Sequence, residues 1–269
     1  EKTLFLIGYA GTGKSTSSRA ILELLEEIMS YDDIMTIALS GIASQRISDT
    51  TGYNSSTIQS LLVKHKEKDF FPYKAILLDE ASMVNSVTFY QIISKISDDT
   101  IFIIVGDDGQ LPAIGAGNVL ADAIKYELAP ICKLTKIYRQ NENQAIAVIA
   151  NDIRRGEVPA YKEEYEDFKF IDVSISNYYS KKNSVSSNDF ADLRGENSEY
   201  ILNNILNISS TYIQDYYDFI KKKKISNALT LFQVITPMKA GILGVDNLNI
   251  QLQKLFNHSK GKSFVSKVY

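Results

Sequence analysis

Cysteine is nearly absent from this sequence, which contains one, Cys132, among 269 residues. A single cysteine cannot form an internal disulfide, and no group of cysteines and histidines has the spacing of zinc ligands. The composition is therefore typical of a reducing compartment, and any metal would need oxygen ligands. The first residues lead straight into a glycine-rich turn without a signal-peptide pattern, so we expect a cytoplasmic protein.

Long apolar runs and an excess of positive charge are also missing. The longest apolar stretches, such as 75–78 and 101–105, have the length of strands and fall far short of the ~20 residues of a membrane span. We therefore expect no membrane partner. Lys and Arg total 29 against 32 Asp and Glu, a net charge of -3. No overall basic field indicates nucleic acid, so a polyanion would have to bind in a local groove.

What the sequence does contain is a regular alternation of strand-like and helix-like segments. Apolar, β-branched runs predict strands at 4–7, 34–39, 75–79, 101–106 and 131–135. Apolar residues at helical spacing predict crossover helices over 15–29 and 84–96. This alternation predicts an α/β fold in which helices cover a parallel sheet.

After Pro130 the pattern changes, and we expect a second α/β unit. Its predicted elements are helices at 145–155, 200–220 and 245–256, strands at 168–173 and 232–236, and a polar surface loop at 174–188. We therefore predict two domains, 1–129 and 130–269. We expect the second to be incomplete, because the chain stops before a second sheet is finished. Since the chain also begins inside its first strand, we expect a partial chain.

The strongest chemical signal is Gly8–Thr16, which matches the phosphate-binding loop G-x-x-x-x-G-K-[ST] between a strand and an amphipathic helix. In such a loop, backbone N–H groups and the helix N-terminus surround the phosphates. Lys14 would reach the β and γ phosphates, and Ser15 would offer its hydroxyl to Mg²⁺. The alternative is a chance glycine-rich turn. We expect ATP and Mg²⁺ as cofactors, bound by Gly8, Ala10, Gly11, Thr12, Gly13, Lys14, Ser15 and Thr16.

Two further strand ends carry polar side chains that suit nucleotide hydrolysis. Asp79 would hold the magnesium ion, and Glu80 would orient and deprotonate the attacking water. Gln110, in the turn after strand 101–106, could sense the γ phosphate. Taken alone, the acidic pair could be a solvated strand end, and the turn could be an ordinary one built from Asp and Gly. Together with the phosphate loop, they favour hydrolysis over binding alone.

In their order along the chain, these motifs resemble RecD-like helicases, superfamily 1 motors of the 5′-to-3′ class. The subfamily stays open between RecD-like, exonuclease V alpha-like and phage-type relatives. The resemblance implies two RecA-like domains with ATP between them and single-stranded DNA across both. The matching segments, which span nearly the whole chain, are 8–16, 79–83, 106–112, 115–120, 138–140, 236–239, 244–245 and 248–249.

The resemblance also implies roles for individual residues. Arg139 would reach the γ phosphate from the second domain and couple hydrolysis to cleft closure; without the neighbouring motifs it would be taken for a surface arginine. This completes a catalytic set of Lys14, Glu80, Gln110 and Arg139. Contacts with DNA phosphates would come from Ser40, Gly41, Thr57, Gln59, Thr236 and Pro237, with Gln59 standing where the family usually has histidine.

The basic and aromatic segment 64–73 lies where these enzymes insert a strand-separating pin, although a solvated loop would have the same composition. The lysine run 221–224 is typical of a solvated helix end. Later family motifs, including a second arginine for the γ phosphate, have no match. We therefore expect a chain that is incomplete as a motor.

The function we predict is an ATP-dependent helicase core that moves 5′ to 3′ on single-stranded DNA and unwinds duplex junctions. Repair, recombination or replication would be its setting, and its protein partners are unknown. One alternative is an ATP-gated clamp that binds DNA without unwinding it. Another is a small-molecule kinase or a related phosphate-loop enzyme that is indifferent to DNA.

Overall fold

The computed structural model describes residues 2–136, 145–159, 165, 167–171, 187–221 and 233–256. The chain divides into two compact units, 1–169 and 170–269. This division differs from the predicted boundary at 129/130, because a strand at Ile131–Leu134 pairs with the first strand of the chain. The assignment of 130–269 as a second RecA-like domain stays a prediction.

The first unit is built on a parallel sheet of six strands, in the spatial order β3-β2-β4-β5-β1-β6. All five strands expected from the sequence are present, within two residues at each end. The sixth, β3, is a short edge strand of Ser and Thr, so it lacks the apolar signal that marks the others. The strands are β1 (Thr3–Gly8), β2 (Ile34–Ala38), β3 (Ser55–Thr57), β4 (Ala75–Leu78), β5 (Ile101–Gly106) and β6 (Ile131–Leu134).

Six helices of this unit lie among the described residues, and side chains fix where three of them begin. Ser40, Thr57 and Asn85 each accept a hydrogen bond from a backbone N–H in the first turn of the following helix, at 3.1, 3.1 and 2.9 Å. The helices are α1 (Lys14–Glu26), α2 (Gly41–Thr51), α3 (Ile58–Lys64), α4 (Ser86–Ile93), α5 (Val119–Lys125) and α6 (Ala145–Arg154).

Alternate residues of each central strand enter two apolar clusters. In β1, Phe5 and Ile7 belong to one cluster and Leu6 to the other; in β5, Ile104 and Ile103 separate in the same way. Helices therefore cover both faces of the sheet, which explains why the strand sequences are continuously apolar. Each fully buried Leu or Ile contributes roughly 1.5–3 kcal/mol. The predicted parallel α/β fold is confirmed.

The second unit is described as three helices, α7 (Ser187–Ser210), α8 (Ile213–Lys221) and α9 (Val245–Phe256). The prediction for 245–256 is confirmed. The helix predicted at 200–220 is instead two helices separated at residues 211–212. Tyr217 Oη of α8 donates to the backbone oxygen of Phe256 in α9 at 2.8 Å.

Two strands predicted for this half are not found in their described parts. Residues 168–171 and 233–236 have no regular secondary structure. A strand needs a neighbour for its backbone hydrogen bonds, and neither segment pairs with one within the described part of the chain. The rest of both predicted strands, and most of the loop at 174–188, lie outside that part. No helix in the described ranges is both long enough and apolar enough to span a membrane.

The segment 64–73 turns most of its aromatic side chains inward. His65 and Phe71 are 6% and 4% exposed. The ring of His65 meets those of Phe71 and Tyr73 edge-on, at centroid distances of 5.9 and 5.8 Å. Phe70, by contrast, is 54% exposed. Contact between this segment and a DNA junction would therefore have to come from Phe70 and the lysines, and the role as a pin stays a prediction.

Lys95, just beyond α4, fixes the same segment to the rest of the unit. Its Nζ donates to the backbone oxygens of His65, Lys66 and Lys68 at 3.1, 3.2 and 2.5 Å. The Phe71 N–H donates to the backbone oxygen of Lys95 at 2.7 Å. The segment is thus a packed turn rather than a free loop.

His65 is expected to make stability depend on pH. Burial lowers the pKa of its imidazole, with smaller contributions from Lys68, Lys64 and Lys95, and neither ring nitrogen has a hydrogen-bond partner among the described residues. The folded pKa lies below the unfolded value. The stabilising contribution is therefore complete above the unfolded pKa and is lost as pH falls through the folded pKa, by at most about 1.4 kcal/mol per pH unit for one proton.

The measurement is urea unfolding of the wild type and of His65→Leu between pH 5 and pH 8. The difference in unfolding free energy between the two proteins should shift in favour of the variant as pH falls. A difference that stays constant with pH would contradict the prediction.

Candidate nucleotide-binding site

The phosphate-binding loop connects β1 to α1. Gly11 and Gly13 have φ values of +82° and +88°, a left-handed backbone that glycine adopts at little cost. The N–H and Oγ1 of Thr12 both donate to the backbone oxygen of Tyr9, at 3.2 and 2.8 Å. These bonds close the turn that places the start of α1 at the carboxyl end of β1.

A cleft of about 380 Å³ opens at this edge of the sheet. Of the residues predicted to bind the nucleotide, Gly8 and Thr12 do not line it: Gly8 ends β1, and Thr12 is 3% exposed. The lining residues are Tyr9, Ala10, Gly11, Gly13, Lys14, Ser15, Thr16, Arg46, Asp79, Glu80 and Gln110. The predicted phosphate loop, acidic pair and glutamine therefore lie around one cleft.

The strand order explains why these distant segments meet. β5 lies between β1 and β4, and the carboxyl ends of parallel strands share one edge of the sheet. The phosphate loop follows β1, Asp79 and Glu80 follow β4, and the turn with Gln110 follows β5. Three segments far apart in sequence thus become neighbours.

Lys14 lies across its own loop. Its Nζ donates to the backbone oxygens of Gly8 and Tyr9 at 2.6 and 3.0 Å. These bonds hold the ammonium group at the cleft wall, where an incoming phosphate can replace carbonyl contacts with stronger charge-assisted ones.

The two carboxylates have shifted pKa values, both in the upward direction. Burial raises the pKa of Asp79, opposed by the Glu80 N–H, which donates to Asp79 Oδ1 at 2.9 Å, and by the charges of Lys14 and Arg46. Burial also raises the pKa of Glu80, the charge of Asp79 adds to this effect, and Arg46 opposes it. Glu80 is therefore a stronger proton acceptor than an ordinary glutamate.

Glu80 also has an unusual backbone, with φ at +53°. Left-handed conformations are uncommon for residues other than glycine, asparagine and aspartate, and they cluster at functional sites. The strained conformation turns the chain sharply after β4 and keeps the side chain in the cleft.

Gln110 is held by the turn that follows β5. Its N–H donates to the backbone oxygen of Asp107 at 3.2 Å, and the Gly109 N–H donates to Asp107 Oδ1 at 3.0 Å. Ser82 Oγ donates to Gln110 Oε1 at 3.3 Å, so one face of the amide is bound to the segment that carries the acidic pair.

The sequence did not point to Arg46 or to Tyr9 as site residues. Arg46 comes from the second turn of α2 and lines the cleft, where its charge lowers the pKa of both carboxylates. It is far in sequence from each motif, and only the packing of α2 brings it to the cleft. Tyr9 occupies a variable position of the loop pattern, which gives no signal for its side chain.

Magnesium could be held here by the Ser15 hydroxyl and the Asp79 carboxylate, which both line the cleft. No group of three or more His, Cys, Asp or Glu side chains suited to a metal occurs in the part of the chain that the structure describes. This donor set fits Mg²⁺, which uses one or two protein oxygens together with phosphates and water. It does not fit a metal that needs a complete protein cage.

The residues predicted to bind DNA in the first unit lie at the ends of β2 and β3. Ser40, Gly41 and Gln59 are exposed, and Thr57 is half-buried. The hydroxyls of Ser40 and Thr57 accept hydrogen bonds from helix N–H groups, so both residues already have a structural role as caps. Their contact with DNA stays a prediction.

The remaining predicted site residues lie elsewhere. Thr236 is half-buried in the second unit, where its Oγ1 donates to the backbone oxygen of Leu243 at 2.7 Å, and Pro237 beside it is exposed. Arg139 lies outside the described residues. The roles of all three remain predictions.

A parallel sheet with a phosphate loop at the carboxyl end of its first strand, beside an acidic pair, defines a phosphate-loop nucleotide-binding protein. A family profile described as AAA domain matches residues 1–174, and the chain belongs to that family.

Named relatives agree with the resemblance to RecD-like proteins. The chain is 27% identical over 266 residues to the ATP-dependent RecD2 DNA helicase of Deinococcus radiodurans, covering 97% of this chain and 31% of that protein. It is 25% identical over 313 aligned residues to the RecBCD enzyme subunit RecD of Buchnera aphidicola subsp. Acyrthosiphon pisum, covering 93% and 49%. The chain thus spans less than half the length of these relatives.

Among solved structures, the chain is similar to Bacteroides Pif1 bound to ssDNA. The identity is 24%, the TM-score is 0.41, and the similarity covers 59% of this chain and 44% of that one.

Proposed function

We propose that this chain is the ATPase core of a 5′-to-3′ DNA helicase. The observation that carries the proposal is the single cleft lined by Lys14, Ser15, Asp79, Glu80 and Gln110. These are the groups that phosphoryl transfer to water needs: a phosphate clamp, oxygen ligands for a cation and a base beside them. The similarity to the RecD2 helicase over 97% of the chain supports DNA as the polymer on which the motor acts.

In this proposal each residue has one task at the γ phosphate. Lys14 binds the β and γ phosphates, and Ser15 and Asp79 hold Mg²⁺, which would neutralise phosphate charge. Glu80 accepts a proton from the attacking water as its oxygen bonds to phosphorus and the bond to the β-phosphate oxygen breaks. Gln110 orients the γ phosphate. Hydrolysis yields ADP and inorganic phosphate.

DNA is expected to bind through exposed polar groups at strand ends rather than through a basic surface. Ser40 and Gly41 follow β2, Thr57 ends β3, and Gln59 comes two residues later, so all four lie at the same edge of the sheet as the cleft. Contacts of this kind position the phosphate backbone without reading the base sequence. Thr236 and Pro237 of the second unit complete the proposed set of DNA contacts. Arg139 is proposed to contact the γ phosphate of ATP rather than DNA.

Single-stranded DNA is expected to stimulate ATP hydrolysis by the protein at its natural full length. The stimulation should weaken between about 50 and about 200 mM salt, because phosphate contacts release counterions on binding. The measurement is steady-state phosphate release with and without an oligonucleotide at both salt concentrations. Forked duplexes with only a 5′ or only a 3′ tail then test unwinding, and strand release should require the 5′ tail.

The alternative functions give different results in the same assays. Nucleotide-dependent DNA binding without strand release would indicate a clamp and refute the helicase proposal. Hydrolysis that DNA does not stimulate at either salt concentration would indicate a phosphate-loop enzyme with another substrate.

A further inference from the structure

The turn that carries Gln110 is fastened by an arginine from outside the recognised motifs. Arg154, the last residue of α6, places Nη1 3.2 Å from Asp107 Oδ1 and Nη2 3.0 Å from Asp108 Oδ1. Asp107 is 3% exposed, and the Arg154 side chain is 24% exposed. The guanidinium therefore neutralises the buried carboxylate of Asp107 and also binds the neighbouring carboxylate of Asp108.

The same guanidinium also covers the phosphate loop. Its Cζ lies 3.5 Å from the centroid of the Tyr9 ring, a cation–π contact with a residue that lines the nucleotide cleft. A Cβ on Gly109 would overlap this guanidinium, so the turn and Arg154 are in direct van der Waals contact. One side chain thus joins the turn after β5 to the loop after β1.

The helix that supplies Arg154 is anchored at its other end as well. The backbone N–H groups of Ala145 and Ile146 donate to Asp167 Oδ1 and Oδ2, both at 3.2 Å. A carboxylate at a helix N-terminus satisfies otherwise unpaired N–H groups and interacts favourably with the helix dipole. Arg154 is therefore presented from a helix capped within the same unit.

We propose that Arg154 is a positioning residue that sets the distance between Gln110 and the phosphate loop during ATP hydrolysis; this inference rests on the proposed function. Arg154 does not line the nucleotide cleft. It acts through Asp107 and Asp108, which fix the backbone turn before Gln110, and through Tyr9 on the opposite side. Nothing in the motif pattern assigns this task to α6.

Removing the guanidinium should impair turnover more than binding. Without it, Asp107 is a buried carboxylate that lacks its cation, and the turn must move to reach water. Gln110 moves with the turn, whereas Lys14 and Ser15 keep their places at the start of α1. A displacement of about 1 Å near the reacting groups costs on the order of 100-fold in rate, so we expect kcat to fall by roughly 10- to 100-fold.

The experiment compares Arg154→Met with Arg155→Met in the full-length protein. Arg155 is the next residue in the chain, is exposed, and provides a control for the same loss of charge and shape. Arg154→Met should lower kcat and leave KM for ATP within about threefold of the wild type, which is the pattern of a lost transition-state interaction. Arg155→Met should change neither constant.

Two further variants separate positioning from general structural damage. Arg154→Lys keeps the charge but loses the planar fork and the stacking surface, so its kcat should lie between those of the wild type and Arg154→Met. Adding Asp107→Asn to Arg154→Met removes the unpaired charge and leaves an oxygen that can still accept from the Gly109 N–H. That double variant should recover part of the lost kcat.

Hydrogen exchange of the backbone amides of 107–111 provides a readout that does not depend on hydrolysis. These amides should exchange faster in Arg154→Met than in the wild type or Arg155→Met. If the wild type fails to hydrolyse ATP, the proposed function is refuted and exchange alone decides the role of Arg154. Equal kcat and equal exchange in the two methionine variants would overturn the inference.

Discussion

Replacing Lys14 by alanine is expected to reduce ATP hydrolysis by about 100- to 1,000-fold, because one pre-positioned charge at the transferring phosphate contributes on that order to kcat. Its ammonium lies at the cleft wall, bonded to the backbone oxygens of Gly8 and Tyr9. These contacts are local to one loop, so the sheet and its two apolar clusters should be unaffected. The measurement is phosphate release at saturating ATP, with thermal unfolding recorded for the same preparation.

Lys125→Ala is the matched control for Lys14→Ala, since it removes an exposed lysine from α5. It should retain wild-type turnover. Retained hydrolysis in Lys14→Ala would count against the nucleotide site itself. Loss of hydrolysis together with a large fall in melting temperature would show that the hydrogen bonds of Lys14 within the loop stabilise the fold. Lys14→Met keeps the aliphatic part of the side chain, and this variant would then have to lose activity while staying folded.

The phosphate loop and the strands that end at the cleft could be predicted because their signals are local. Gly8–Thr16 is a contiguous pattern, and β4 and β5 are short apolar runs that end in polar residues. Parallel strands place their carboxyl ends at one edge, so a sequence that shows strand ends also shows which residues meet. Glu80 and Gln110 both line the cleft at that edge, and their roles in hydrolysis stay predictions.

Other parts of the site depend on packing that no local pattern reveals. Arg46 and Arg154 reach the site only through the directions of α2 and α6. β3 escaped prediction because an edge strand of three polar residues has no apolar signal. β6 is apolar and was predicted, but its pairing with β1 depends on a crossover from β5 to the far side of β1, which composition does not show. The predicted boundary at 129/130 therefore separated a strand from its sheet.

The aromatic residues of segment 64–73 illustrate a further limit. Basic and aromatic residues together suit either a DNA junction or a turn packed on a core. In the structure, His65 and Phe71 are buried. Lys95 donates hydrogen bonds to backbone oxygens of the same segment, including those of His65 and Lys68. Composition gives the residue types, but only tertiary contacts decide which face each side chain takes.

Replacing Glu80 by glutamine is expected to reduce turnover strongly while leaving nucleotide binding intact. Glutamine has nearly the same shape but cannot accept the proton of the attacking water, a contribution of about 100- to 10,000-fold. Lys14, Ser15 and Asp79 keep their places in the cleft, so binding of a fluorescent ATP analogue should change little. Asp79→Asn is the contrasting variant, since its loss should weaken the dependence of binding on Mg²⁺.

The pH profile of the wild type tests the same role for Glu80. Burial and the charge of Asp79 both raise the pKa of Glu80, and the active form is the ionised base. The rate of hydrolysis should therefore be at its maximum above the raised pKa and should fall as pH drops through it. This fall should come at a higher pH than it would for an ordinary glutamate. The measurement is kcat/KM for ATP between pH 5 and pH 9, because this ratio follows the ionisation of the free enzyme. The residual activity of Glu80→Gln should not fall at acid pH in the same way as that of the wild type. If it falls at the same pH, another group is the base.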